Sequence, residues 1–582
     1  MELLYVWIED YKNINKQGFN FSPKHWFEYD EKTNSLKHED KNPNYPKDFF
    51  GDNISNLTAI VGKNGSGKSN LIEAIFNVFV EGKQGHLIVF QQGNQLKSNK
   101  NITCNTPIAH SELFLKLATT PLYYTGILQY NEISNIIENI STLQKLNDVN
   151  IWTDNNGKSN SIIEFKHYFN EYLFKEVTDQ IEFFTKNPNI INSYLGDDLF
   201  IPNKLRIKLK RLQPNYSPKE KDSLEFSSSI YEKVKFGFYI SILESLCENN
   251  TLNQSAKAYK EIVNSYNKDL GFFESFNQFI EKFEDKSTEE KEAIKIRKQS
   301  ISDSRNALEK IENLLSPHNL NIYGASADEI VYERYYLDNF IVELDHLNKQ
   351  YGTIEFISKL KSCMGTLSHL LSFQWDGLSY GENEVLKMGS RIYTALLKEP
   401  KKNHCLLTID EGELGFHAEW QRKYLPLVLN LLTNLFPDIS FQVILTSHSP
   451  FLVSDLPKEN IIFLDKEKET GLCRVCKPED MTHTFGANIH SLYRNSFFLE
   501  NGLMGEFAKG KIDKVIRNLS NDIINDKDKM SSEDIQFVIQ QIGEPLIKNK
   551  LLEMYNQHFN FSLEDRIVKL EKELEELKAH KS

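Results

Sequence analysis

The chain has 582 residues, a prior of roughly four domain-sized units at about 150 residues each; with 40% hydrophobic and 26% charged residues it excludes disorder along its whole length. Its 81 acidic residues against 68 basic ones give a net charge of −13, which excludes a surface that coats duplex DNA throughout, so any nucleic-acid contact has to come from a local basic patch. Six scattered cysteines, Cys473 and Cys476 at CxxC spacing among them, make neither a disulfide framework nor a four-ligand zinc site; with no leader-like N-terminus and no long apolar window, the expectation is a cytoplasmic protein with no membrane partner.

In chain order, Leu3–Ile8 reads as a strand, the polar span of about residues 30–50 as a loop, and Asn53–Val61 as a second strand closing on Leu57, Ile60 and Val61. Gly62-Lys63-Asn64-Gly65-Ser66-Gly67-Lys68-Ser69 follows, and then Leu71, Ile72, Ala74, Ile75, Val78 and Phe79 recur at helix spacing. Strand, glycine turn and helix are the first unit of an α/β domain. The octapeptide matches GxxxxGK[ST], a turn whose backbone N–H groups face anionic oxygens at the positive end of a helix. Lys68 would reach the β- and γ-phosphates of a nucleotide, and the Ser69 hydroxyl would complete an Mg²⁺ shell. Gly62, Asn64, Gly65, Ser66, Gly67, Lys68, Ser69 and Asn70 are the candidate nucleotide-binding residues here.

Residues 111–354 are dominated by charged, helix-forming stretches such as Tyr259–Lys286 and Glu289–Leu315, with Pro317 ending the second, and aromatic pieces such as Tyr332–Phe340 lie between them. This reads as a mainly helical insertion with a few strands at its edges. In Lys204–Arg211 basic and apolar residues alternate; such a strand either tracks a phosphate backbone or simply turns a solvated face outward.

Beyond residue 355 the α/β character returns. In Leu378-Ser379-Tyr380-Gly381-Glu382, Ser379 and Gly381 either offer a hydroxyl and backbone N–H groups to an anion or form an N-cap closed by Glu382. The apolar strand Cys405–Ile409 runs into Asp410-Glu411, Trp420–Leu432 reads as a helix, and the strand Phe441–Thr446 runs into Ser447-His448. Asp410 is the candidate Mg²⁺ holder through water, and Glu411 the group that orients or deprotonates an attacking water. The region 471–582 reads as polar and helical; its end, Arg566–Lys581, carries Ile567, Leu570, Leu574 and Leu577 at 3-4-3 spacing, a partner-binding helix or a solvated one.

Glycine loop, long insertion, LSYGE, TIDEGE and TSHSP, in that order, resemble an ABC-type ATPase head of the SMC/Rad50/RecF and OLD-like branch over about residues 1–110 and 355–465. Within it the chain is most similar to the PtuA family, the ATPase subunits of Septu antiphage systems, also found beside some retrons. The resemblance implies an α/β ABC-type P-loop head over 1–110 and 355–470, interrupted by the insertion 111–354 and followed by a helical region, 471–582. It implies ATP and Mg²⁺ as cofactors, Lys68, Glu411 and His448 as catalytic residues with His448 the switch histidine, and Ser69 and Asp410 at the metal. It makes Ser379, Gly381 and Glu382 the signature that meets a nucleotide held by a second subunit, hence a homo-oligomer, at least a dimer. It further implies an HNH nuclease partner (PtuB-like), with nucleic acid or retron RNA/DNA as an additional partner; the residues themselves show no HNH-like histidine cluster, so no nuclease activity is expected in the chain itself. The rival readings are a RecF/Rad50-like DNA-repair ATPase and an OLD-like nuclease, for which Asp526-Lys527-Asp528 has the spacing but no preceding apolar strand. The family's glutamine has no clear match in this sequence, Gln92 and Gln129 being the two candidates. Glu413 and His417 match the DEPExxLHP run of OLD-type ATPases, with Gly412 in the proline's place. Thr484–His490, followed by Phe497–Gly505, looks like the tail that follows the head in the PtuA group.

Overall fold

Three strands that each end in a candidate site motif lie side by side. In the computed structural model Ile54–Gly62, Ser440–Ser447 and His404–Asp410 are parallel neighbours, with Asp410 opposite Thr446 and Thr446 opposite Ile60. The model describes residues 1–81, 86–111, 119–125, 138–139, 162–187, 204–209, 270–284, 301–309, 321–324, 339–343, 371–398, 403–476, 482–495, 504–520 and 529–559, with isolated positions between 234 and 299 and at 522. The chain divides into two compact units, Met1–Phe497 and Phe498–Ser582.

Among the described residues the main sheet of the first unit runs Glu138–Asn139, Thr120–Thr125, His404–Asp410, Ser440–Ser447, Ile54–Gly62, Ile461–Lys466, Cys473–Val475. Its pairings are parallel except the last, which is antiparallel. The strands read as continuous apolar runs because both faces are covered. Leu407, Ile409, Val443 and Leu445 point into one core with the helix Ala418–Leu435, whereas Leu406, Ile444 and Ile60 point into another with the helix Lys68–Glu81. Consecutive residues facing opposite ways is the period-2 geometry of a strand. In such a sheet ligands gather outside the carboxyl ends of the strands.

Several expectations need correction. The span read as a loop contains the strand Ser35–Asp40, paired with His25–Asp30; its alternation of buried Leu36 and His38 with exposed Lys37 and Glu39 hides behind an all-polar composition. The head does not stop at residue 110, since Thr120–Thr125 pairs along its length with His404–Asp410. A six-residue run beginning Thr-Pro carries too little periodicity to declare itself a central strand. Nor does the head end at 470: Cys473–Val475 forms a sheet edge and the first unit extends to Phe497.

The described part of 111–354 includes the helices Ile162–Lys186 and Gly271–Glu284. It also supplies three strands of an antiparallel sheet, ordered Asn321–Gly324, Asn339–Glu343, Lys204–Leu209, Leu371–Trp375. In the basic strand Leu205, Ile207 and Leu209 are buried and Lys204 and Lys208 exposed, as the alternation predicts. Arg206 is not free for a phosphate backbone, because it pairs with Asp376 at 2.6 Å. Lys210, Arg211, Gln129, Asp526–Asp528, Pro317 and Arg566–Lys581 lie outside the described residues.

The second unit contains the helices Glu506–Leu519, Ser532–Gln541 and Pro545–His558, packed around Ile512, Val515, Leu519, Ile535, Ile539, Leu551 and Tyr555. Among the described residues no helix is long and apolar enough to cross a membrane.

Candidate nucleotide site

The glycine loop turns from the strand Ile54–Gly62 into the helix Lys68–Glu81 with Gly65 at φ +74° and Gly67 at φ +104°, conformations open to glycine and strained for other residues. Loop shape is held from outside by Asn13, whose Nδ2 donates to the Gly65 carbonyl at 3.2 Å and whose Oδ1 accepts from Asn70 Nδ2 at 2.7 Å. Asn70 therefore braces the loop in this geometry. Asn13 carried no signal in the sequence, since nothing marks a residue 57 positions from its partner.

Lys68 is buried and curls back so that Nζ donates to the Gly62 carbonyl at 3.2 Å. Burial pulls its ammonium below the usual lysine range, opposed by the charges of Glu411, Asp410 and Glu413. Ser66 Oγ is buried without a hydrogen-bond partner, and an orphaned polar atom in such a cradle awaits one. Asn64 and Gly65 are exposed at the loop tip.

Ser69 Oγ lies 3.5 Å from Asp410 Oδ1, which joins the loop to the Asp410 strand. Asp410 is buried, accepts hydrogen bonds from the Thr446 hydroxyl and, at 3.2 Å, from Tyr123 Oη, and is pushed by burial above the usual carboxylate range. Hydroxyl plus carboxylate oxygens form the hard donor set that suits Mg²⁺. Tyr123 carries no signal in the sequence because its strand falls in the span that reads as insertion, whereas Thr446 stands out as the polar residue inside an otherwise apolar strand.

Glu411 has φ +50°, a conformation that costs roughly 1–3 kcal/mol outside glycine. It is held there by its N–H, which reaches Thr446 Oγ1 at 2.9 Å and the Thr446 carbonyl at 3.3 Å. Its carboxylate meets His448 Nε2 at 3.3 Å, and that hydrogen bond is the main reason its pKa falls below the ordinary glutamate value. Glu413 is buried beneath the pair; it accepts from the Ser447 hydroxyl and from the His448 N–H at 3.2 Å, and burial raises its pKa. His417 instead caps the helix Ala418–Leu435, accepting from the Glu419 N–H at 3.4 Å.

Gly412 explains its own departure from the OLD-type proline. A Cβ there would lie 2.4 Å from Tyr424 Oη and 2.5 Å from Ile409 Cγ2, so the turn after Glu411 admits no side chain. Gly412→Ala should lower stability by about 1–3 kcal/mol, read from a denaturation midpoint, and adding Tyr424→Phe should return part of the loss. An unchanged midpoint in the single variant would refute the packing argument.

Ser379 and Glu382 form a reciprocal capping box, with the Ser379 N–H donating to Glu382 Oε2 at 2.7 Å and the Glu382 N–H to Ser379 Oγ at 3.3 Å. Ser379 is exposed at the helix start, Glu382 is half-buried and Gly381 buried, and the nearest neighbours of a Cβ on Gly381 would be Phe416 and Trp420 at 3.9 Å. These contacts are distinct from the cluster around Lys68. Gln92 accepts from Lys97 at 2.8 Å, a pair across the hairpin Leu87–Gln92/Gln95–Ser98. Thr484 and Ala487 bond back to Leu456 and Ser454, so the TFGANIH segment is fastened to the short helix Pro450–Ser454 that follows His448.

The comparison with protein families agrees with the glycine loop. Residues 57–187 match the model described as "AAA domain, putative AbiEii toxin, Type IV TA system". The match starts in the strand that carries the loop and runs through Tyr123 to the end of the helix Ile162–Lys186. Family match, loop and carboxylates together are those of a nucleotide-binding domain of the P-loop ATPase type.

Proposed function

We propose that the chain binds and hydrolyses ATP as an ABC-type ATPase, that two copies close around shared nucleotides, and that this closure regulates an HNH nuclease partner in antiphage defence. The observation that supports the ATPase reading best is the meeting of Lys68, Ser69, Asp410, Glu411 and His448 at the ends of three adjacent parallel strands. The loop N–H groups and Lys68 would hold the phosphates, and Ser69 with Asp410 would hold Mg²⁺, whose charge offsets that of the β- and γ-oxygens. Glu411, kept ionised, accepts a proton from water; His448 fixes the direction of its carboxylate, and Glu413 fixes His448 through the backbone. Ser379, exposed at a helix start whose Gly381 is buried, suits a γ-phosphate presented by another subunit. The nuclease partner and the defence role rest on the order of the motifs and their likeness to the PtuA family. A DNA-tracking role is less well supported, because Arg206 is already paired with Asp376.

Mixing two inactive variants tests the shared site. Lys68→Ala and Ser379→Arg should each abolish hydrolysis, yet their mixture should recover activity, because a mixed dimer rebuilds one intact site from the unaltered Lys68 of one copy and the unaltered Ser379 of the other. Absence of recovery, with mixed dimers verified by tag capture, would sink the proposal. Nuclease regulation is tested separately by asking whether an HNH protein co-purifies with the chain.

A further inference from the structure

Away from the nucleotide site, the hairpin His25–Asp30/Ser35–Asp40 places three metal-ligand side chains on one face. His25 and Asp40 are directly opposed in the antiparallel register, and His38, two residues before Asp40, shares its face. His25 Nδ1 lies 3.1 Å from His38 Nε2 and 2.8 Å from Asp40 Oδ1, and His38 Nε2 lies 3.3 Å from the same oxygen. Three donors around a tetrahedral zinc ion with bonds of about 2.0–2.1 Å are about 3.3–3.4 Å apart. Two edges of the triangle on the hairpin are therefore within about 0.3 Å of those such an ion requires, and the His25–Asp40 edge would have to open by about half an ångström.

The surroundings prepare these atoms as ligands. His38 Nδ1 is 2.9 Å from Thr106 Oγ1; when it donates to that hydroxyl, Nε2 carries the lone pair that faces the triangle. The ring is stacked on Phe27 at 4.7 Å, and the His38 backbone is clamped on both sides by the Asn105 amide, N–H to Oδ1 at 2.7 Å and C=O from Nδ2 at 2.8 Å. Two imidazole lone pairs and a carboxylate facing one another repel unless a cation or a proton sits among them. Asp40, 61% exposed, leaves a path from solvent.

We infer that His25, His38 and Asp40 bind a divalent transition ion of the zinc class through two imidazole nitrogens and one carboxylate, with the fourth position open to water. Imidazole ligands favour such an ion over Mg²⁺ or Ca²⁺, so this site and the nucleotide site select different metals.

The test uses the full chain, stripped with a chelator and dialysed against Zn²⁺ or Co²⁺ alone. Wild type should retain a stoichiometric ion that Mg²⁺ in excess does not displace, and Co²⁺ should give the intense visible absorption of tetrahedral coordination. His25→Gln and Asp40→Asn, with folding verified by circular dichroism, should abolish that signal; Thr106→Val should weaken affinity roughly 10- to 100-fold. Asp410→Asn, at the other site, should leave it intact. Equal metal retention by wild type and the His25 and Asp40 variants, no retention by wild type, or a purely octahedral Co²⁺ spectrum would each overturn the inference and leave a hydrogen-bonded His–His–Asp cluster.

Discussion

Glu411→Gln should bind ATP as the wild type does and hydrolyse it about 10²- to 10⁴-fold more slowly, the range for losing a positioned general base. The backbone of residue 411 sits in a left-handed conformation secured by Thr446, and none of those bonds involves the side-chain oxygen that changes. Glutamine can keep the contact to His448 but cannot take a proton from water. Because the His448 hydrogen bond holds the Glu411 pKa below the ordinary value, the carboxylate is ionised at neutral pH and ready to act. The linkage follows the sign for a depressed acid: its contribution to stability is present above the unfolded-state pKa and disappears as pH falls through the lower folded-state value. The variant should lack that acid limb. It should also accumulate as a nucleotide-bound dimer, visible by light scattering only when ATP is present. Wild-type turnover in Glu411→Gln would remove this residue from the chemistry.

Much of this site could be read from short motifs because its chemistry is local. A glycine turn, an acidic strand end and a histidine strand end each announce themselves within eight residues, and the parallel sheet then brings them together. What could not be read depends on long-range neighbours. Tyr123 reaches Asp410 across 287 positions, and the strand that delivers it is six residues long and opens on Thr-Pro. Asn13 acts only through side-chain amides on residues far along the chain. The hairpin over residues 25–40 was hidden by polarity: its buried positions include His38, which hydropathy counts as solvent-facing. The capping box at Ser379 shows the opposite situation, where one local pattern supports two readings. Its hydrogen bonds establish the cap, and the cap leaves the hydroxyl at an exposed helix start that a second subunit could use.

Arg391→Leu should destabilise the first unit by about 3–5 kcal/mol, measured as a shift in its chemical-denaturation midpoint. Arg391 is 1% exposed and Glu176 9%, and they are joined by bonds from Nε to Oε1 at 3.0 Å and from Nη2 to Oε2 at 2.9 Å; Tyr172 Oη accepts from Nη2 at 2.9 Å. Leucine leaves the Glu176 carboxylate in a nearly dry interior with no opposing charge, and that uncompensated burial dominates the loss. The pair Arg391→Met with Glu176→Leu should recover most of the stability, since an apolar contact of similar volume replaces two desolvated ions. A single variant within about 1 kcal/mol of wild type would show that water or a rearranged neighbour rescues the glutamate. The position of the pair gives it a second consequence. Arg391 lies on the helix that starts just after Ser379, and Glu176 on the helix Ile162–Lys186, which also takes a hydrogen bond at Gln180 from Trp375 Nε1 at 2.6 Å. That helix is thus fastened to the chain on both sides of LSYGE, so the proposed movement of Ser379 on nucleotide binding is expected to be felt in it. In the doubly substituted chain, ATP-dependent changes in amide exchange across residues 172–184 should shrink while ATP binding at Lys68 persists, and undiminished changes there would place the coupling elsewhere.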